Sequence, residues 1–232
     1  IALSAVLLII QFGFDVTLLK ENKTYLIIQI MSSFVIAFTA FIVRYIFEQF
    51  GKIKCLCVED TEKMSNLLES DYELIRRLQA FSANLFIHSM RVSVMSMRVS
   101  QKMGYNSLLA KAGGMYHEIG RIKKEENYVE ATNDIAYAYD FPKCLTDLIL
   151  QVCDKDEKPE SREAMVVMLS DSIVSMIEYF EKNTDKSRPS KEKLIESVFA
   201  NRQKKGNFDN CDISEKEIEG IKETYKNINM DF

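Results

Sequence analysis

The chain divides into two patterns of apolar and polar positions. Residues 1–50 are almost uniformly apolar, whereas residues 51–232 mix apolar and charged positions with a helical period. The stretch Tyr25–Val43 holds 19 residues without a charge, close to the ~20 that cross a hydrocarbon core as a helix. Its polar members, Gln29, Ser32, Ser33 and Thr39, are scattered rather than gathered into the stripe a buried core helix would show. The pattern predicts a transmembrane helix over 25–47. Residues 1–14 are also uncharged, and they lack both the basic start and the small-residue cleavage site of a signal peptide. They predict a partial span over 1–19, joined to the next by a turn at Asp15–Thr24, in a natural protein that extends further towards its N-terminus.

Residues 51–80 predict a juxtamembrane connector, with Met64, Leu67, Leu68, Leu74, Ile75 and Leu78 as its apolar positions. Beyond it, His88, Val92, Met95, Val99 and Met103 recur at steps of four, three, four and four, which places them on one helix face. Gly104 supplies a stop, and Asn106 or Ser107 a start, for a helix with Leu108, Ala112, Met115 and Ile119 on its apolar side and its end at Gly120. Further helices are predicted over Phe141–Val152, Ala164–Phe180, Lys193–Phe199 and Glu215–Ile228, the last opened by a Ser214/Glu217 capping box. No segment sustains period-two alternation. The predicted class is all-α: a helical bundle over 81–232, preceded by a membrane region over 1–50 with its transmembrane helices.

The net charge of −4 comes from intermixed acids and bases, without the single-sign blocks of a nucleic-acid-binding arm, so nucleic acid is not an expected partner. The five cysteines form no CxxC pair, which suits a reducing compartment. Cys55 and Cys57 follow the predicted span, where free thiols are expected and acylation is the alternative. Arg44, Lys52 and Lys54 after the span, against Lys20 and Lys23 before it, lean towards a cytosolic C-terminal side.

Chemistry enters with only two histidines, His88 in FIHSMRVS and His117 in MYHEIGRI, where Glu118 follows at once. Taken singly, each has the ordinary reading of a hydrogen-bonded core histidine. Asp171 in LSDSIVSM changes this, because Met165, Val166, Val167, Met168, Leu169 and Ile173 surround it and a bare carboxylate there is costly to bury. Ligating a cation removes the cost. A His, His-acid and Asp set drawn from three helices suits Mn, Fe or a similar divalent ion.

The stretch FIHSMRVSVMSMRVSQKMGYNSLLAKAGGMYHEIGRI resembles HHSLxVAxLAxxxAxxxGxNxLLARxGAxYHDIGKI of the seven-transmembrane HD family, the membrane-bound HD-domain cyclic di-AMP phosphodiesterases of bacteria. The likeness continues upstream through FEQFGKIKCLCVEDTEKMSNLLESD and downstream through KPESREAMVVMLSDS and GNFDNCDISEKEIEGIKE, and covers nearly all of residues 40–228. It implies an HD domain that hydrolyses phosphodiesters with metal-bound hydroxide. By the same resemblance His88, His117 and Asp171 are metal ligands. Glu118 stands in the place of the family's Asp as ligating and catalytic carboxylate, and Arg121 replaces a phosphate-facing Lys. Tyr128 occupies a position that is His in the family, Val152 and Cys153 replace a His-His pair, and the segments joining these motifs are short.

Two histidines cannot assemble the family's two-metal site. His88, His117, Glu118 and Asp171 are a one-metal set, and at most one ion, Mn or Fe, is expected. Three functions stay open: an impaired or inactive phosphodiesterase that still binds a nucleotide, an active cyclic di-AMP phosphodiesterase, and a one-metal phosphohydrolase acting on another nucleotide. The expected partners are a cyclic dinucleotide or other nucleotide and the lipid bilayer. The expected location is a bacterial cell membrane, with several spans and a cytosolic C-terminal domain.

Overall fold

The computed structural model describes residues 31–33, 35–44, 58–154, 158–183, 187 and 189–229. The chain forms two compact units, residues 1–56 and 57–232. In the first, residues 31–33 and 35–44 are helical, and Phe38 and Phe41 are 65% and 66% exposed. No helix among the described residues is long and apolar enough to cross a membrane. The predicted partial span over 1–19 and residues 25–30, 34 and 45–47 of the predicted helix over 25–47 lie outside the described residues.

The second unit is all-α among its described residues: α1 (Val58–Leu67), α2 (Glu73–Phe81), α3 (Ala83–Met103), α4 (Ser107–Tyr116), a 3-10 helix (Ile119–Lys123), α5 (Tyr128–Ala138), α6 (Lys143–Cys153), α7 (Arg162–Lys182), α8 (Lys191–Lys204) and α9 (Glu215–Asn227). Side-chain caps begin most of them. Ser82 Oγ accepts the Leu85 N–H, Asn106 Oδ1 that of Leu109, Ser161 Oγ that of Ala164, and Ser214 Oγ that of Glu217, each satisfying an amide the first turn leaves unpaired. Gly104, at φ 73°, ends α3 in the left-handed conformation that glycine adopts without strain.

α7 lies at the centre, against α3, α4, α6 and α8, and Ala164 through Ser170 are all buried. That all-round apolar run is what a helix enclosed on every side requires. α3 and α4 approach closely through small residues: a Cβ at Gly114 would stand 2.7 Å from Ser93 Cα, and Ser93 Oγ donates to the Lys111 carbonyl at 2.7 Å. The connector positions Met64, Leu67, Leu74, Ile75 and Leu78 are buried in this unit. Its α1 is tied to α4 by the Tyr116 hydroxyl, which donates to the Leu67 carbonyl.

Two differences from the periodicity bear on the site. The helix expected to run to Gly120 stops at Tyr116 and tightens into the 3-10 helix, because Gly120 packs directly on the Tyr128 carbonyl and the Thr132 hydroxyl. α5 was not evident from the apolar pattern, since its buried face is Ala131, Thr132, Ile135 and Ala136, with a single large aliphatic residue.

Candidate metal centre

Three helical segments bring the site together. His88 lies in the first half of α3, His117 caps the end of α4, and Asp171 sits midway along α7. One donor atom from each of the three lies within 4.8 Å of the others. The focus is Asp171 Oδ1, which receives His88 Nε2 at 3.1 Å and the Ser175 hydroxyl at 3.2 Å, with His117 Nε2 at 3.7 Å. Ligands 2.0–2.2 Å from one ion stand roughly 3 to 4 Å apart. The site therefore has the spacing of a coordination sphere.

The hydrogen bonds on the far sides of the imidazoles show how these residues fit a cation. His117 Nδ1–H donates to the Gly114 carbonyl at 2.9 Å, which leaves a lone pair on Nε2. That Nε2 is buried and has no hydrogen-bond partner, an arrangement costly for a polar atom unless a further group binds there. His88 Nδ1–H donates to Glu178 Oε2 at 3.1 Å, so its Nε2 too is aimed at the centre. Arg91 holds Glu178 and Glu181 at 3.6 and 2.8 Å. Carboxylates and carbonyls behind ligating histidines are the usual means of orienting them.

Burial works against a charge on His88, but Asp171, Glu178 and Glu118 outweigh it and raise its pKa above the ordinary value. Burial likewise opposes ionisation of Asp171, but the two imidazoles gathered on it, His117 and His88, hold its carboxyl far below the usual carboxylate range.

His117 and Asp171 also line a cavity of about 940 Å³ together with Glu118, Arg121, Tyr128, Val152 and Cys153. Glu118 faces this cavity, but its carboxylate is paired with Arg121, and it is not among the three convergent donors. The Tyr128 hydroxyl donates to the His117 carbonyl at 2.9 Å, and burial raises its pKa. Cys153 Sγ donates to the Leu150 carbonyl at 3.5 Å. Sequence reasoning missed Glu178, although it lies seven residues after Asp171 and so on the same face of α7. It also missed the cavity-lining Lys158, Arg202 and Lys205: Lys158 opens the KPESREAMVVMLSDS stretch without a role being read into it, and Arg202 and Lys205 come from a segment that carries no motif.

Comparison with known proteins agrees with this geometry. The HD domain family matches residues 85–176, a range that includes all three convergent ligands. The chain is 21% identical over 216 residues to the cyclic-di-AMP phosphodiesterase PgpH of Bacillus subtilis, covering 71% of this chain and 30% of that protein. It thus spans about 30% of the length of this curated relative. Over a shorter stretch of 99 residues it is 29% identical to ribonuclease Y of Aster yellows witches'-broom phytoplasma, covering 41% of this chain and 19% of that one. The crystal structure of the Listeria monocytogenes PgpH HD domain in complex with cyclic-di-AMP superposes with a TM-score of 0.58 at 20% identity, over 66% of this chain and 93% of that one. His88, His117 and Asp171 therefore sit in an HD domain, and the chain is homologous to the PgpH cyclic-di-AMP phosphodiesterases.

Proposed function

We propose that the chain is the membrane-anchored HD domain of a bacterial multi-pass protein, which holds one divalent cation, Mn or Fe, on His88, His117 and Asp171, binds a cyclic dinucleotide, and is impaired in hydrolysing it. One observation carries the reading. Tyr128, Val152 and Cys153, which the family resemblance places where histidines are expected, line the same cavity as His117 and Asp171. None offers an imidazole, and the Tyr128 proton is engaged by a backbone carbonyl. A single bound ion would supply a Lewis acid and a water of lowered pKa. The residues present would hold that ion through one set of donors, and among the described residues no second such set stands ready to hold another ion at the leaving oxygen.

Support for the ligand comes from PgpH, whose HD domain was crystallised with cyclic-di-AMP. The membrane location rests on the uncharged stretch Tyr25–Val43 and on the exposed apolar side chains at 35–43, and the cytosolic side on Arg44, Lys52 and Lys54 that follow it and on the cysteines without a CxxC pair. The intact triad favours a second reading, a one-metal phosphohydrolase acting on a different nucleotide.

The test is metal analysis and turnover on the detergent-solubilised chain loaded with Mn or Fe. The expected result is one ion per chain, binding of cyclic di-AMP and negligible hydrolysis of it. Metal-dependent turnover that disappears in His117→Ala would overturn the impairment, and hydrolysis of a mononucleotide with the same dependence would establish the second reading.

A further inference from the structure

The cations lining the cavity fall into two kinds. Arg121 is paired with Glu118, and Lys158 with Asp209 at 3.0 Å. Arg202 and Lys205 have no carboxylate partner among the described residues, although the chain as a whole is acidic at −4. Arg202 is part-buried, and both its Nε, at 3.1 Å, and its Nη2, at 2.6 Å, donate to one neutral acceptor, Ser172 Oγ. The Ser172 hydroxyl in turn donates to the Met168 carbonyl at 2.8 Å, so its orientation is set and its lone pairs are left for the guanidinium. Arg202 Nη1 has no protein acceptor among the described residues.

A basic residue near a helix C-terminus often does no more than offset the helix dipole. That account is sufficient for Lys204, which is exposed and does not line the cavity. It is insufficient for Arg202, whose guanidinium is withdrawn from water with no carboxylate in contact, Asp171 acting on it only through space, whereas a dipole can be offset from the surface. Arg202 and Lys205 are three apart at the end of α8, hence side by side. They also line a second cleft of about 150 Å³, with Ser172 and Met176, that adjoins the first. The pair therefore stands beside the triad rather than in it, fixed to α7 through the residue that follows Asp171. Like charges held adjacent repel unless they share an anion, and a guanidinium with a free edge is well shaped to receive a phosphate.

We infer that Arg202 and Lys205 form an anion subsite for a second phosphate of the ligand, distinct from the phosphate at the metal, so that the cavity favours nucleotides carrying two phosphate groups over mononucleotides. This deepens the proposed function and rests on its reading of the triad as the site of one metal and one phosphate.

Two titrations separate the two claims. Inorganic phosphate is titrated into the chelator-treated, detergent-solubilised chain and followed by calorimetry. Binding is expected to weaken about tenfold or more in Arg202→Gln and in Lys205→Gln, the loss of one charge-assisted contact, and to be unchanged in His117→Ala. Lys205 is exposed, so its variant keeps the test sound if Arg202→Gln fails to fold. In the Mn-loaded chain, Lys205→Gln is expected to cut cyclic di-AMP affinity about tenfold while leaving Mn affinity and 5′-AMP affinity within about twofold. Phosphate that does not bind the wild type, binding that ignores Arg202 and Lys205, or an equal loss for AMP and the dinucleotide overturns the subsite. Failure of Mn to bind, with phosphate still held through Arg202 and Lys205, would remove the proposed metal site and leave the subsite standing.

Discussion

The two walls of the central cavity are built from the same helical framework and differ in what their side chains are free to do. On one wall stand His117 and Asp171, on which His88 converges, with each imidazole oriented from behind by Glu178 or the Gly114 carbonyl and with His117 Nε2 left open. Across from them the positions where the family resemblance places histidines offer no imidazole: the Tyr128 hydroxyl is given to the His117 carbonyl, Cys153 to Leu150, Val152 is apolar, and Glu118 is paired with Arg121. The difference teaches that a bundle can keep its packing while losing half of its chemistry.

The sharpest way to break this comparison is to remove the shared acceptor of the first wall. Asp171 Oδ1 is the atom on which both imidazoles and Ser175 are centred, and its carboxylate is the only anionic member of the convergent set. Asp171→Asn is expected to weaken Mn binding by more than about a hundredfold, beyond the roughly 10- to 100-fold that follows loss of an outer-shell partner. Electron paramagnetic resonance of free Mn during titration reads this directly. A loss of only a few-fold would mean that residues of the second wall hold the ion.

How much of this was legible in the sequence follows the same division. His88 and Asp171 could be picked out because a polar group inside an apolar helical run has few satisfactory fates, and α3 and α7 carry such runs. The core helices were legible for the same reason, and the caps at Asn106 and Ser214 fell where the composition placed them. α5 was not, because a face of Ala131, Thr132, Ile135 and Ala136 carries too little hydrophobic contrast to show a period. Glu178 looked like any acid on the polar side of an amphipathic helix, and only the approach of α3 makes it a partner of His88. Glu118 was expected to join the ligands; its carboxylate is paired with Arg121, three residues on, and is not among the convergent donors. Such choices depend on where the 3-10 helix turns, which no periodicity encodes.

Glu178 sharpens the comparison at an intermediate scale and gives it a pH dependence. Replacing it with Gln keeps the shape but removes a charge that orients His88 and raises its pKa, so two effects oppose each other. The sign is determined by what the ion needs. A raised histidine pKa favours the metal-free protein below the ordinary value of about 6.5, and that contribution is lost as pH rises through the folded-state pKa. An ion requires neutral His88 and displaces its proton, so Mn affinity should climb with pH over this window. In Glu178→Gln, affinity above pH ~8 is expected to fall about tenfold through lost orientation. Towards pH ~6 the deficit should shrink, because the variant's His88 releases its proton more readily. A deficit that stayed constant with pH would show that Glu178 has no part in setting the protonation of His88.

The smallest expected effect belongs to Glu118, and it decides whether the second wall is as inert as its contacts make it. The Glu118 side chain is 18% exposed and paired with an Arg121 that is itself 57% exposed, an ion pair worth little on its own because water screens it. Drawing Glu118 away from Arg121 into a coordination sphere would therefore cost little. What it would gain depends on reach, and its oxygens are not among the donors that lie within 4.8 Å of one another. If the carboxylate stays with Arg121 when the ion binds, Glu118→Gln alters only the field around the site, and Mn affinity should fall no more than about threefold, the scale of a screened charge at a distance. A loss of a hundredfold, approaching that of Asp171→Asn, would instead make Glu118 the fourth ligand that the family resemblance implies. In that event Glu118→Asp, one methylene shorter, separates the two walls again: a ligand that must swing across from Arg121 needs its length and would be weakened, whereas one already seated would retain its affinity.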